Sequence, residues 1–325
     1  MTTRRQLAGL IAAAALPLAR PALAQSARIA EGPIRLVVPF PPGGPNDLVA
    51  RVLGQKLGAI LERNVVVENR SGAGGVIGTD NVVKAAPDGR SLCLTSAGAI
   101  AISPVLGAPM PFDVAKDVAP ITLVALMPEL LAVPPSLPVN SVAELVDYAK
   151  KNPGKVNYGS SGIGSMPHLA GEAFRAAAGI DITHVPYRGA APAVTDLIAG
   201  QVQMMFADMP AMMSQVQGNA LRPIALASGE RSPLLPQTPT MAEAGVPVVA
   251  DNWYGLVASS KVPAPIQALL QEAAARALRD PDLVKAYAEQ GARPVGGSQA
   301  EFRDFIVKES ARWGEVGRRA NIRMD

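Results

Sequence analysis

Short runs of β-branched and aliphatic residues alternate along the chain with stretches whose apolar residues recur at helical spacing. In the first part of the chain this pattern predicts strands at residues 34–40, 64–68 and 91–96. Helices are predicted between them, at residues 47–61 and 75–86. The βαβαβ order predicts a parallel sheet with helices on both faces.

A second alternating block follows two apolar runs that Pro128 divides, at residues 121–127 and 130–133. Its predicted elements are helices at 141–150, 165–178, 190–199 and 209–217 and strands at 155–158, 182–186, 203–206 and 223–227. An apolar run at 253–259 is predicted to return the chain, before helices at 264–279, 281–290 and 299–319.

This organisation predicts an α/β fold of two lobes joined by two or more chain crossings. The first lobe is expected to contain residues 25–125 and 253–325, and the second residues 126–252. Open α/β sheets bind ligands beyond the carboxyl ends of their strands, so a ligand cleft is expected between the lobes.

The first 24 residues predict a cleaved export signal. They have a basic start at Arg4 and Arg5, an apolar stretch at residues 7–18 and a small-x-small cleavage site at residues 22–24. The apolar stretch is too short for a membrane anchor, which needs roughly 20 residues. The start also resembles a twin-arginine signal, and both export routes stay open.

Removal of this signal changes the charge of the protein. Three of the 30 basic residues lie in residues 1–24, which leaves 27 against 27 acidic residues in the mature chain. Such a balance offers no basic stripe for nucleic acid. The single cysteine, Cys93, lies in an apolar strand-like run and is expected to be a buried structural thiol.

The first candidate for chemistry is the turn PFPPGGPND at residues 39–47, called here the first turn. Its prolines fix φ, its glycines allow conformations closed to other residues, and Pro45 suits the first helical turn. Asn46 and Asp47 are capping residue types. The arrangement predicts main-chain N–H groups aimed at an anion, with a tight turn that holds no ligand as the alternative.

The stretch YGSSGIGSMPHLAGE at residues 158–172 contains a second glycine- and serine-rich turn, residues 159–165, called here the second turn. Ser160, Ser161 and Ser165 offer hydroxyl groups, and Ser165 is a natural N-cap. One anion-binding turn from each lobe predicts a site that grips a small, negatively charged ligand between the lobes.

Other chemistries find weaker support. The glycines at residues 71–78 resemble a dinucleotide fingerprint, but the next strand ends without the acidic residue that binds the ribose. The GxSxG spacing of a nucleophile elbow is absent, and the two histidines form no metal-ligand pattern. His168 could face the cleft, and His184 is expected to be satisfied within a strand. Asp208, at a strand's carboxyl end, is open between a ligand contact and a helix cap.

Six segments complete the picture: PIRLVVPFPPGG, ENRSGAGGVIGT, KAAPDGRSL, NYGSSGIGSMPHLAGE, THVPYRGAAPAVTDLIAGQVQMMF and WGEVGRRANI. Together they resemble the tripartite tricarboxylate transporter receptors, also called Bug proteins, from about residue 33 to the end. The resemblance implies a two-lobed periplasmic-binding-protein fold of type II. It also implies a periplasmic, non-enzymatic receptor that delivers small organic acids to a permease with one large and one small subunit.

The resemblance further implies that both turns bind the carboxylate ends of the ligand, largely through backbone amides and waters. The predicted ligand-binding residues are Phe40, Pro42, Gly43, Gly44, Asn46, Asp47, Ser96, Ala97, Ser160, Ser161, Gly162, Ser165, His168, Tyr187, Ala190 and Asp208. No catalytic residue, metal, cofactor or nucleic acid is predicted, and a monomer is expected.

One departure from the family pattern affects the ligand class. Many members read Gly-Gly-Gly-Thr/Ser-Asp where this chain has Gly-Gly-Pro-Asn-Asp at residues 43–47. Pro45 removes an amide donor and Asn46 replaces a hydroxyl by an amide. A dicarboxylate, an aromatic acid, an amino acid and an uncharged amide all remain open, and the alternative roles are a ligand sensor for a membrane kinase or an exported hydrolase.

Overall fold

The computed structural model describes residues 28–322 and Met324. The export signal predicted at residues 1–24 lies outside the described residues. No described helix combines the length and the apolar character needed to cross a bilayer.

The described chain forms eleven strands and ten α-helices. The strands are β1 (Ile34–Val38), β2 (Val65–Asn69), β3 (Ser91–Ser96), β4 (Val118–Met127), β5 (Glu129–Val133), β6 (Asn157–Ser160), β7 (Thr183–Pro186), β8 (Met204–Asp208), β9 (Arg222–Leu226), β10 (Asn252–Ser259) and β11 (Arg293–Gly296). The helices are α1 (Pro45–Leu61), α2 (Val76–Val83), α3 (Val114–Asp117), α4 (Val142–Lys151), α5 (Met166–Ala178), α6 (Ala190–Ile198), α7 (Met209–Gln217), α8 (Ala264–Ala277), α9 (Pro281–Ala288) and α10 (Gln299–Arg319).

The first lobe is built on a six-stranded sheet with the order β11-β4-β10-β3-β1-β2. Strands β2, β1 and β3 are parallel, as the βαβαβ pattern predicts. The prediction did not include the other half of this sheet, where β10 runs antiparallel to both β3 and β4, and β11 antiparallel to β4. Strand β4 leaves for the second lobe and β10 returns from it, so the two strands run in opposite directions.

The second lobe is built on a five-stranded sheet with the order β7-β6-β8-β5-β9. Strands β7, β6 and β8 are parallel, and β5 pairs antiparallel with β8 and β9. The chain enters this sheet at Pro128, the only residue between β4 and β5, and leaves it between β9 and β10. Proline has no N–H group to donate to a neighbouring strand, so it suits this break between the sheets.

Three features escaped the sequence pattern, and one of them is the four-residue helix α3. Residues 98–106 form a π-helical turn (Gly98–Ile102) and a 3-10 turn (Ser103–Leu106) after β3. The first of these turns is buried throughout, so it shows no amphipathic period. Strand β11 was not predicted either, since its four residues include Pro294 and no apolar run.

The apolar core continues from one sheet to the other. Phe206 of β8 and Trp253 of β10 belong to the same buried cluster, together with Phe302 and Trp313 of α10. Both tryptophan indole N–H groups donate to the Glu309 carboxylate, at 3.2 and 2.8 Å. Helix α10 therefore packs against both lobes at their junction. The described chain has the two-lobed α/β architecture predicted from the sequence.

Candidate functional site

The loops after the parallel strands of the two sheets meet at the junction of the lobes. An ideal Cβ atom at Gly98, in the loop after β3, would lie 3.2 Å from the Gly74 carbonyl oxygen and 3.4 Å from that of Gly164. Gly74 belongs to the loop after β2, whereas Gly164 belongs to the second turn. A side chain at Gly98 would therefore press against main-chain carbonyl groups of both lobes.

Phe40 connects the first turn to this meeting point. Its ring lies 3.4 Å from an ideal Cβ atom at Gly75, beside Gly74. Gly75 has φ of +100°, a conformation that side chains disfavour. Both turns thus reach the same junction, the first through Phe40 against Gly75 and the second through Gly164 against Gly98.

The carboxylate of Asp47 braces the first turn from inside. It accepts hydrogen bonds from the Gly43 N–H at 2.9 Å, from the Asn69 amide at 2.9 Å and from two guanidinium nitrogens of Arg51 at 2.9 and 3.0 Å. Asn69 also donates to the Phe40 carbonyl oxygen at 3.0 Å. Whereas the sequence prediction placed Asp47 and the Gly43 N–H against the ligand, the structure turns them toward each other.

The ionisation of Asp47 follows from these contacts. Burial by itself raises the pKa of this carboxyl group, because it removes water from the charge. The hydrogen bonds from Arg51, Gly43 and Asn69 outweigh burial, and the pKa lies below its ordinary value. Asp47 is therefore a carboxylate at neutral pH and holds the turn in a fixed shape.

Other donors of the first turn remain available. Within the described residues, the N–H groups of Gly44 and Asn46, at the start of helix α1, have no hydrogen-bond acceptor. The Asn46 side chain is 2% exposed, and neither its amide nitrogen nor its oxygen has a protein partner in the described part of the chain. Pro42 and Gly43, by contrast, are exposed at the surface of the turn.

The serines of the second turn divide into two groups. Ser160 Oγ accepts from the Gly162 N–H at 3.1 Å and lies 2.7 Å from His184 Nε2, while Ser165 Oγ donates to the Gly162 carbonyl oxygen at 2.7 Å. Both hydroxyls therefore shape the turn. The side-chain hydrogen bonds of this turn within the described residues do not include the Ser161 hydroxyl, which leaves it free for a ligand.

A stacked pair of histidines supports the second turn. Nδ1 of His168 accepts from the Gly164 N–H at 3.2 Å, and its ring stacks on His184 with the centroids 3.8 Å apart. His168 was predicted to face the cleft, but the structure buries it beneath the turn, where it lines a cavity of about 430 Å³ together with Glu172. His184 is satisfied within the lobe by Ser160, as the sequence prediction has it.

Both histidines are neutral at physiological pH. Burial lowers the pKa of His168 to about 4, and burial together with the neighbouring His168 lowers that of His184 to about 3. Protonation of His168 would also remove the acceptor that holds the Gly164 N–H.

We expect this pair to make the protein less stable in acid. Between the ordinary pKa of about 6.5 and the lowered values, the unfolded chain binds protons that the folded chain does not. The folding equilibrium constant should therefore fall as pH falls through this range, by roughly tenfold per pH unit for each proton. Urea unfolding between pH 7 and 4 measures the slope, and His168→Asn, which keeps an acceptor near the Gly164 N–H, should reduce it. An unchanged slope in this variant would contradict the assignment.

The other predicted residues occupy the ends of neighbouring strands. Ser96 and Ala97 are buried at the end of β3, and Ala190 opens α6. The Tyr187 hydroxyl donates to the Asp196 carboxylate at 2.7 Å, and the Tyr187 N–H donates to the Ser160 carbonyl oxygen at 3.1 Å. Tyr187 thus joins the loop after β7 to the second turn through the main chain.

Asp208 has a role that neither sequence interpretation included. It precedes α7 but makes no side-chain cap bond. Its carboxylate instead accepts from the Asn252 amide at 3.0 and 3.1 Å and from the Tyr254 hydroxyl, both on β10 of the first lobe. Sequence reasoning also missed Asn69 and Gly98, because their roles depend on neighbours distant in the chain.

A second cavity, of about 490 Å³, lies near the starts of β1 and β3 and contains none of the predicted site residues. Its charged side chains are paired, for example Lys84 with Asp80 at 2.7 Å and Arg90 with Asp88 at 2.7 Å. Across the described residues, no group of three His, Cys, Asp or Glu side chains is arranged to hold a metal ion. Burial raises the pKa of the Cys93 thiol to about 12.

Comparisons with known proteins agree in sequence and in structure. The family model described as "Tripartite tricarboxylate transporter family receptor" matches residues 49–322. Protein BugT of Bordetella pertussis is 39% identical over 294 residues, which cover 90% of each chain. A structure of Rpa4515 from R. palustris with adipate is 36% identical with a TM-score of 0.85, covering 89% of this chain and 97% of its own. MatC from Rhodopseudomonas palustris, with bound malate, is 30% identical with a TM-score of 0.80, covering 87% of this chain and 98% of its own.

Proposed function

This chain belongs to the tripartite tricarboxylate transporter receptor family, and on that premise we propose that it closes its two lobes on a small dicarboxylate. It is a solute receptor of a tripartite transporter and not an enzyme. The observation that supports the proposal is that a strand–helix turn from each lobe reaches the same junction. Gly164 of the second turn lies against Gly98, and Phe40 of the first turn lies against Gly75, beside the Gly74 that also borders Gly98. Each turn leads directly into a helix, and helix N-termini attract negative charge.

Two turns of this kind suit a ligand with a carboxylate at each end. Adipate in Rpa4515 and malate in MatC are both dicarboxylates. We assign one carboxylate to the N–H groups of Gly44 and Asn46, and the other to the second turn with the Ser161 hydroxyl. Hydrogen bonds to charged groups contribute about 1.5–3 kcal/mol each, so a few neutral donors are sufficient.

Three of the other predicted residues would hold the two turns in position. Asp47 fixes the first turn through Gly43, and Ser160 and Ser165 fix the second through Gly162. Because Arg51 is bound to Asp47, the charge of Arg51 is already neutralised. Recognition would then rest on enclosure and dipoles rather than on a single ion pair.

The lobe boundaries belong to this proposal. The first lobe contains residues 25–125 and 253–325 and the second residues 126–252, in keeping with the crossings at Pro128 and before Asn252. Closure about these crossings would enclose the ligand and present the closed face to a membrane permease.

We place the mature protein in the periplasm, as a monomer, after removal of residues 1–24. The sequence supports both the general and the twin-arginine export route. Cell fractionation of the full chain, with the N-terminal sequence of the exported form, tests this part of the proposal. Retention of residues 1–24 in the exported protein would refute it.

A thermal-shift experiment on purified residues 25–325 tests the ligand class. A bound acid should raise the unfolding midpoint progressively with its concentration, because it binds only the folded state. Malate, adipate, an aromatic acid and an amino acid form the panel, with uncharged amides of the same length as controls. If an amide raises the midpoint and no acid does, the proposal fails.

A further inference from the structure

A pair of buried carboxyl groups lies where the chain crosses between the lobes. Glu129 opens β5 directly after Pro128, and it pairs in register with Asp208, the last residue of β8. The Glu129 side chain is fully buried. In the part of the chain that the structure describes, neither of its carboxyl oxygens has a hydrogen-bond donor from another residue, if both groups are taken as carboxylates.

Asp208 connects this pair to the other crossing. Its oxygens accept from Asn252 and Tyr254 of β10, the strand that brings the chain back to the first lobe. The main chain of Glu129 also takes part, since its carbonyl oxygen accepts from the Ala227 N–H at 2.8 Å, where the returning segment begins. The two carboxyl groups therefore lie between the outgoing and the returning segments.

Two carboxylates in this position would be unfavourable. Each loses hydration on burial, their charges repel, and no cation from the described residues contacts either one. The two residues lie directly opposite each other in the antiparallel β5–β8 pair, a position in which Cβ atoms are about 4.5–5.5 Å apart. A bond between two carboxyl groups forms only when one of them carries a proton. A single proton supplies the donor that Glu129 lacks and removes one of the two charges.

Electrostatics of the surroundings favour the proton on Glu129. Burial and then the charge of Asp208 raise its pKa well above the ordinary value, and the more distant Asp251 acts in the same direction. Burial also raises the pKa of Asp208, although the donors Tyr254 and Asn252 oppose this change.

The arginine side chains of neighbouring elements interact with other carboxyl groups, not with this pair. Arg293 of β11 and Arg312 of α10 lower the pKa of Asp251, which burial nevertheless raises to about 6. Glu309 of α10 is occupied by the two tryptophans and by Arg312. The Glu129–Asp208 pair therefore titrates without a cation to stabilise its doubly ionised form.

We propose that Glu129 carries a proton shared with Asp208, and that this carboxyl pair fastens the two interlobe crossings until a rise in pH removes the proton. The inference deepens the proposed function, because a hinge that loosens with pH alters the ease of closure, but its test requires no ligand. A folded-state carboxyl group that holds its proton above pH 4.5 stabilises the fold fully below that pH and loses this effect as pH rises. One such proton makes the folding equilibrium constant fall roughly tenfold per pH unit in that range.

Urea unfolding of ligand-free Glu129→Gln tests the proposal against the wild type from pH 4.5 to 9. Glutamine supplies a donor without titrating, so the variant should gain stability relative to the wild type with rising pH, by up to tenfold in the equilibrium constant per unit. Taking the difference between the two proteins cancels the contribution of the histidine pair. Glu315→Gln on the exposed side of α10 is the matched control and should show no such trend.

Infrared spectroscopy of the wild type provides the second readout. The band of a protonated carboxyl group should be present near neutral pH and absent in Glu129→Gln. A difference in stability that stays constant with pH, together with the absence of this band in the wild type, would overturn the proposal. If Glu129→Gln does not fold, Glu129→Leu, which also removes the titrating group, is judged by the same two criteria. A protein that binds no acid but keeps the pH trend refutes the proposed ligand and leaves the carboxyl pair intact.

Discussion

Asp47→Ala should lower the free energy of unfolding by about 1.5–3 kcal/mol, the usual contribution of hydrogen bonds to a charged group, because it removes a buried carboxylate that accepts several of them. The substitution leaves the Gly43 N–H and the Asn69 amide without their acceptor and releases Arg51. The first turn then loses the contact that fixes its glycines. We expect acid binding to fall below detection in calorimetry even at temperatures where the variant is fully folded.

Two further variants separate the effect of the hydrogen bonds that Asp47 accepts from the effect of its ion pair with Arg51. Asp47→Asn keeps one acceptor oxygen and should lie between the wild type and Asp47→Ala in stability. Arg51→Ala removes the half-exposed partner and should cost no more than about 1 kcal/mol, as for other exposed ion pairs. Chemical denaturation of all three proteins gives the values. Equal stabilities of Asp47→Ala and the wild type would show that Asp47 does not brace the turn.

Gly78→Ala should destabilise the protein by about 1–3 kcal/mol, the usual range for overpacking, and weaken acid binding at the same time. An ideal Cβ atom at Gly78 would lie 2.7 Å from the Arg70 carbonyl oxygen, 2.7 Å from Pro39 Cβ and 2.8 Å from Pro39 Cα. Two of these three atoms belong to the backbone, so the main chain itself must move. Because Pro39 begins the first turn, the movement reaches the proposed carboxylate site.

Gly229→Ala is the matched control for this substitution. Apart from Gly229 and its two chain neighbours, no atom of the described residues lies within 4 Å of an ideal Cβ at this position, and Gly229 does not have the positive φ that disfavours side chains. We expect its unfolding midpoint and ligand affinity to equal those of the wild type. Loss of stability without loss of affinity in Gly78→Ala would show that the packing of α2 is independent of the first turn.

The sequence predicted the elements better than their pairing. Periodicity located α7 and β3 with the bounds that the structure shows, and it placed a break between sheets at Pro128. It did not reveal that β10 inserts between β3 and β4, because the returning strand has the same apolar pattern in either direction. The direction of a strand in a sheet depends on the path of the preceding chain, and a local sequence pattern contains no information about that path.

The site shows the same limit at the level of side chains. The turns were recognisable because proline and glycine restrict the backbone locally. Asp47 accepts a hydrogen bond from Asn69, and Asp208 accepts one from Tyr254, in both cases from a residue far away in the sequence. Residue types alone suggested ligand contacts for the two aspartates instead. Glu129 gave no signal at all, since a glutamate after a proline is usually exposed, whereas here it is fully buried.

Titration calorimetry with a dicarboxylate, its monoamide and its diamide tests most directly whether two turns grip the two ends of one ligand. Amides keep the length and shape of the ligand but remove one negative charge at each step. The proposed site predicts the tightest binding for the dicarboxylate, weaker binding for the monoamide and the weakest for the diamide. A diamide that binds as tightly as the dicarboxylate would contradict it.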